Sequence, residues 1–188
     1  MTPNRDEVEV WVVPLDVPDG EAGRLYELLA DDERERAGRS PWPPRKRRYA
    51  ARQGRLREVL ACYTGTDPRG IELERTALGK PGLAGNGNLH FSVSDSGDLA
   101  LVAVASRDVG VDVERVEERL LTRRLSSRKR IEDFYGRWTA LEARGKAIGG
   151  GLFARGDGVA CAALDVGPGY AAAVAAEGAD WRVRVRQY

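Results

Sequence analysis

Apolar and polar positions alternate from Val8 to Leu15, with valine and tryptophan among them, so this stretch predicts a strand. Pro14, Pro18 and Gly20 end it. Period then shifts to helical spacing. Ala22 to Ala37 predicts one helix, with Leu25, Leu28 and Leu29 on one face. The run Ser40-Pro41-Trp42-Pro43-Pro44 breaks the chain, and a second helix is expected from about Arg45 to Tyr63. Gly65 to Gly70 reads as a turn, Ile71 to Arg75 as a short strand, and Gly79 to Gly87 as a glycine-rich loop. Strand patterning returns at Leu89 to Ser94, Leu99 to Ala105 and Val109 to Val113, with Ser96-Gly97-Asp98 as a hairpin turn. Glu117 to Lys129 is charged and reads as a short helix or a mobile loop. Ile131 to Ile148 predicts a long helix stopped by Gly149-Gly150-Gly151. Three strands follow, over Gly158 to Asp165, Tyr170 to Ala176 and Trp181 to Arg186. The order is α+β, and each half reads strand, helix, strands, with no repeat and no flexible linker.

Composition narrows the class. The 188 residues are 42% hydrophobic and 31% charged, enough for a buried core and unlike a disordered tail. No apolar run nears the ~20 residues of a membrane span, and the polar, acidic stretch from Met1 to Glu9 is not a signal peptide. Cys62 and Cys161 fit no metal or redox spacing, which suits a reducing cytoplasm. The formal charge is only +1, an argument against a dedicated nucleic-acid binder. That balance hides segregation. Arg34 to Arg57 carries ten basic residues and one acid, while Asp108 to Glu118 carries five acids and one arginine. Either both are solvated faces, or they serve a phosphate-rich ligand and a divalent cation. Arginine outnumbers lysine 26 to four, so each lysine carries more information than each arginine.

Three groups could support chemistry. In Gly110-Val111-Asp112-Val113-Glu114, alternation puts Asp112 and Glu114 on one face of a strand. Two carboxylates so placed repel unless a cation joins them, and Mg²⁺ takes oxygen ligands; an ordinary half-exposed strand is the alternative. On the long helix, Trp138, Glu142 and Lys146 share one face. Glu142 could be a third carboxylate and Lys146 a phosphate contact, or the two form a surface i,i+4 pair. Gly79-Lys80-Pro81 and Phe91-Ser92-Val93-Ser94-Asp95-Ser96-Gly97 are small-residue turns able to meet phosphate, though neither is a Walker loop. The sole histidine, His90, and the two cysteines are too few for a zinc site, and one histidine is a thin basis for a Ser-His-Asp site.

In this order the motifs resemble a 4′-phosphopantetheinyl transferase of the surfactin-synthetase-activating type. The resemblance runs from about Leu29 to Leu152. It also takes in Arg47-Arg48-Tyr49-Ala50-Ala51-Arg52 with Leu56-Arg57, and Phe134-Tyr135 with Trp138-Thr139 and Glu142-Ala143 through Lys146. It implies a phosphopantetheinyl transferase-like α+β fold of two pseudo-symmetric halves, drawn at residues 1–98 and 99–188, with coenzyme A in the cleft between them. It further implies transfer of phosphopantetheine from coenzyme A to a serine of an apo acyl or peptidyl carrier protein, by a cytoplasmic monomer serving polyketide or nonribosomal peptide biosynthesis. By motif, Asp112, Glu114 and Glu142 would hold Mg²⁺. Glu142 would help deprotonate the carrier serine, and Lys146 would bind the pyrophosphate. Arg48, Arg52, Lys80, Ser94 and Asp95 would lie along the nucleotide phosphates.

Two positions depart from that pattern. Leu141 stands where the family helix carries lysine, and Asp95 stands where the family loop carries histidine. Phe134, Leu141 and Ile148 lie seven apart, an apolar stripe along which Leu141 would pack. Only 23 residues separate Glu114 from Trp138, which implies a trimmed carrier-facing segment around Leu120 to Arg130. The alternative reading is a family member moved to another reaction on a small-molecule or carrier-tethered substrate, or a non-catalytic carrier-binding module.

Overall fold

A computed structural model of the chain describes residues 3–75, 79–117, 128–150 and 158–188. It is mixed α+β. The strands are β1 (Glu7–Pro14), β2 (Leu73–Arg75), β3 (Pro81–Leu83), β4 (His90–Ser96), β5 (Leu99–Ala105), β6 (Val109–Arg115), β7 (Val159–Leu164), β8 (Tyr170–Glu177) and β9 (Arg182–Gln187). The helices are α1 (Asp19–Glu27), α2 (Asp31–Gly38), α3 (Pro43–Thr64) and α4 (Arg128–Ile148). The strands form a four-stranded sheet ordered β4-β5-β1-β9, a three-stranded sheet ordered β6-β8-β7, and the β2-β3 ribbon.

Side-chain alternation stacks these elements in layers. On β1 and β5, Val13, Val102 and Val104 pack with Leu25 of α1 and Leu56, Val59 and Leu60 of α3. The other faces of the same strands, Val8, Val10, Leu101 and Ala103, pack with Val109, Val111, Val113 and Val174 of the second sheet. α4 then covers the outside of that sheet, with Ala143 and Ala147 against Ala173 and Ala175 of β8. Both sheets are therefore covered on two faces, which explains why β5 reads as the unbroken run Leu-Ala-Leu-Val-Ala-Val-Ala.

The single helix expected over Ala22 to Ala37 is two. The Glu33 side chain accepts a hydrogen bond from the Ala30 backbone N–H at 3.0 Å and starts α2 afresh. Glu33 is also buried and ion-paired with Arg57 of α3 at 2.8 Å, and it accepts from Gln53 at 2.8 Å. A side chain anchored on α3 thus overrides continuous helical spacing. The glycine-rich loop is partly ordered as well, since β3 pairs antiparallel with β2. The segment expected over Glu117 to Lys129 lies mostly outside the described residues, as does Gly151. α4 ends at Ile148, where Gly149 takes a positive φ of 74°.

Two glycines set the helix approaches. A Cβ on Gly54 of α3 would come within 2.7 Å of the Leu25 Cβ and carbonyl oxygen on α1. A Cβ on Gly110 of β6 would overlap the Ala143 carbonyl oxygen and the Ala147 nitrogen of α4. The chain also crosses back on itself: β9 pairs parallel to β1, placing Trp11 opposite Arg186. Strands from both sides of residue 98 therefore share one sheet. Buried Glu9 of β1 accepts from Arg186 Nε at 2.6 Å and from the Tyr63 hydroxyl, which in turn accepts from Trp11 Nε1 at 2.7 Å.

Gly110→Ala should lower unfolding free energy by about 3 kcal/mol, read by urea denaturation, because backbone cannot retreat as a side chain could. Glu9 gives a pH signature. Burial pushes its carboxyl up, but the bonds from Arg186 and Tyr63 outweigh this and hold it below its ordinary value of 4.5. Its contribution is therefore fully present above that value and lost as pH falls through the lower, folded one. As pH falls below 4.5, stability should drop more steeply in the wild type than in Glu9→Gln.

Candidate active site

Gly110 determines where this site lies. With no side chain between them, the backbones of β6 and α4 touch at Ala143 and Lys146-Ala147. The same β6 face that carries Gly110 carries Asp112 and Glu114 by alternation. Asp112 is therefore set against the last turns of α4, beside Lys146.

The contact is a closed triangle. Lys146 Nζ donates to Asp112 Oδ1 at 2.8 Å and to Ser94 Oγ at 2.9 Å. Ser94 Oγ donates to Asp112 Oδ1 at 2.8 Å. Ser94 belongs to a row on β4 that faces β6. Ser92 Oγ accepts from the Val111 N–H at 3.2 Å. Ser96 Oγ accepts from the Arg115 N–H at 3.0 Å and donates to Glu114 Oε2 at 2.9 Å. Small hydroxyls at i, i+2 and i+4 thus join two sheets whose edge strands are not paired with each other.

Asp112 is only 4% exposed. Its Oδ2 is buried with no hydrogen-bond partner among the described residues. An orphaned carboxylate oxygen of this kind fits a hard divalent cation, Mg²⁺ above all. Among the described residues, no three acid, histidine or cysteine side chains gather closely enough to hold a metal. The donors fit Mg²⁺ in kind, with Asp112 offering a buried open oxygen.

Glu142 and Lys146 stand one turn apart on α4 and line a cavity of about 270 Å³ with Lys80, Pro81, Ser92 and Val93. Glu142 is half-buried and makes no hydrogen bond or ion pair with other described residues. It is available as a proton acceptor. Lys80 Nζ donates to the Ala147 carbonyl at 3.1 Å and lies 3.3 Å from Asp108 Oδ1. Asp108 also meets His90 Nδ1 at 3.0 Å. The spacing of the motifs did not single out Asp108; its only signal was its place at the head of the acidic run.

The remaining site residues of the sequence reading lie elsewhere, around the β4–β5 turn. Arg52 of α3 is ion-paired with Asp95 at 2.9 Å. Arg48 is paired with Asp98, which also lies 3.4 Å from Arg115. Asp98 was missed because it read only as a turn residue. One packing expectation is corrected: Leu141 is 44% exposed and Phe134 45%. The i, i+7 stripe is real, but it points away from the face α4 lays on β6 and β8. On that exposed side the Phe134 ring stacks on Trp138 with centroids 6.5 Å apart.

No family model matches the chain. Curated relatives do. Over 167 residues the chain is 34% identical to the 4′-phosphopantetheinyl transferase HetI of Nostoc sp., covering 78% of this chain and 70% of that protein. The chain belongs to the 4′-phosphopantetheinyl transferase superfamily. It is also 34% identical to a phosphopantetheinyl transferase of Thraustochytrium sp. across 59% of this chain and 41% of that one. It is 28% identical to a 4′-phosphopantetheinyl transferase of Bacillus subtilis, across 58% and 50% respectively. The chain thus spans most of the Nostoc transferase but half or less of the other two.

The Lys146–Asp112 pair in this phosphopantetheinyl transferase-family chain is testable apart from activity. Lys146→Met should cost about 3 kcal/mol, because it strands a buried carboxylate. Adding Asp112→Asn should restore part of that loss, and urea unfolding of the two single variants and the double variant reads the coupling.

Proposed function

We propose that this chain transfers the 4′-phosphopantetheine arm of coenzyme A to a serine of an apo acyl or peptidyl carrier protein. The observation that carries the reading is the Lys146–Asp112–Ser94 triangle beside Glu142, which is unpaired among the described residues, in a chain whose named relatives are phosphopantetheinyl transferases. On this reading the enzyme is of the surfactin-synthetase-activating type, built of two pseudo-symmetric halves around the ligand cleft. It works as a cytoplasmic monomer in secondary metabolism.

The residues divide the work by charge. Glu142 takes the proton of the carrier serine, whose oxygen then forms a bond to the phosphorus that bears the pantetheine arm. The bond from that phosphorus to the bridging oxygen breaks, and adenosine 3′,5′-bisphosphate leaves. Lys146, held toward Asp112, neutralises charge on the departing phosphate. Lys80 and Ser94 hold the pyrophosphate, with Arg48, Arg52 and Asp95 further along the nucleotide. Asp112 and Glu114, with Glu142, would hold Mg²⁺. When bound, the ion supplies positive charge to the pyrophosphate oxygens and so stabilises the charge that develops there. Positioning and electrostatics are the main needs of phosphoryl transfer, and these side chains supply both.

A second reading has an observation of its own. Arg48, Arg52 and Lys80 are all engaged by aspartates, and Leu141 removes a further cation from the helix. This pattern suits a relative moved to a different reaction, or a binding module without catalysis.

One assay separates the two readings. The protein is incubated with coenzyme A, Mg²⁺ and a panel of apo carriers, and the carriers are weighed by mass spectrometry. A phosphopantetheine mass gain on at least one carrier is expected. Absence of any gain, together with no coenzyme A binding, overturns the proposal. Glu142→Gln should abolish the gain while circular dichroism and melting stay as in the wild type; undiminished transfer would remove Glu142 from its role.

A further inference from the structure

The proposed donor has two separate anionic centres. The pyrophosphate is where the bond breaks. The other is the phosphate on the ribose 3′ oxygen, away from the reacting atoms. Three cavities run in series across the fold. The 270 Å³ cavity holding Lys146, Lys80 and Glu142 shares Pro81 and Val93 with one of about 720 Å³. That one shares Tyr49 and Arg52 with a third of about 700 Å³, at the β4–β5 turn, whose walls carry Arg48 and Asp95. With the pyrophosphate at the Lys146 end, the ribose phosphate of a nucleotide lying along this series falls toward the arginine end.

At that end Arg48 and Arg52 already have aspartate partners, while Arg45 also lines the cavity. Asp95 sits 2.9 Å from Arg52, and Asp98 is shared between Arg48 and Arg115. These pairs are part-exposed, so breaking them costs little. Breaking them does not remove the carboxylates, however. A dianionic phosphate brought to Arg52 would sit beside Asp95, and like charge set against a ligand discriminates against it. A 3′-hydroxyl carries no such penalty and can donate a hydrogen bond to the carboxylate.

Resting on the transferase reading, we propose that Asp95 sets donor choice, so that the enzyme prefers coenzyme A over 3′-dephospho-coenzyme A by no more than about threefold. The step is unchanged at the reacting centre. The serine oxygen gains the phosphopantetheine phosphorus, the anhydride P–O bond breaks, and AMP leaves in place of adenosine 3′,5′-bisphosphate.

The test pairs two donors and two nucleotides. Carrier modification is followed by mass spectrometry with each donor, and binding of AMP and adenosine 3′,5′-bisphosphate is followed by calorimetry, which reads the pocket whether or not transfer occurs. The wild type should show a kcat/KM for coenzyme A no more than about threefold above that for the dephospho donor, and the two nucleotides should bind within the same margin. Asp95→Asn should raise both ratios about tenfold in favour of the 3′-phosphate. A wild type preferring the 3′-phosphorylated ligand by more than about threefold overturns the proposal, as does an Asp95→Asn that leaves the ratios unchanged. Equal nucleotide binding with no transfer from either donor upholds the role of Asp95 in the pocket and overturns the transferase reading alone. Binding of neither nucleotide overturns both.

Discussion

The site depends on one absence, the missing side chain at Gly110. Helices normally stand off a sheet by the thickness of their side chains. Here the α4 backbone lies directly on β6, and the helix side chains on either side of that contact are carried to the strand's own level. Lys146 can then reach Asp112 without extending into solvent. Lys146-Ala147 shares in the close approach itself, so the lysine is positioned by backbone geometry. Docking of the helix and assembly of the charged triangle are one event.

A second regularity is that positive charge near the candidate site is answered locally. Asp112 holds Lys146, Asp108 holds Lys80, Asp95 holds Arg52 and Asp98 holds Arg48. The near-zero net charge is therefore reproduced pair by pair. Such an arrangement keeps a strongly basic helix from repelling itself in the free protein. It also means that an anionic ligand meeting these four cations exchanges ion pairs, so affinity there turns on which carboxylates can yield. Asp112 can yield least, being buried; Asp95 and Asp98 are part-exposed at a turn.

The elements were legible in the sequence wherever one period persisted. The alternation in β1, β4 and β6, the apolar run of β5 and the helical spacing of α3 and α4 matched the strands and helices observed, to within a few residues. The break between α1 and α2 was not legible, because it is made by Glu33 reaching Arg57 and Gln53, partners 24 and 20 residues away. The serines of β4 were read as a small-residue turn with the strand ending at Ser94, whereas the strand runs on through Ser96; nothing in the chain says that this edge would face β6. Asp112 and Lys146 were both visible as candidates. Their direct pairing was not, because it follows from the Gly110 contact and not from the spacing of either motif.

The parallel pairing of β9 with β1 has a cost in time as well as a place in the fold. Glu7 meets Arg182 across nearly the whole chain, so this edge of the sheet is sealed by a contact of the longest range, the slowest kind to form. During synthesis the Glu-Val-Glu-Val-Trp-Val-Val-Pro strand emerges well before β9, so the edge it offers to β9 waits after β5 has become available to the other edge. Through that interval the backbone donors and acceptors on its β9 side are open to any other extended segment, including a second nascent copy. The alternating glutamates Glu7 and Glu9 give the waiting strand a negative charge that a like strand would repel. Once β9 arrives, Arg184 and Arg186 turn that same charge into cohesion.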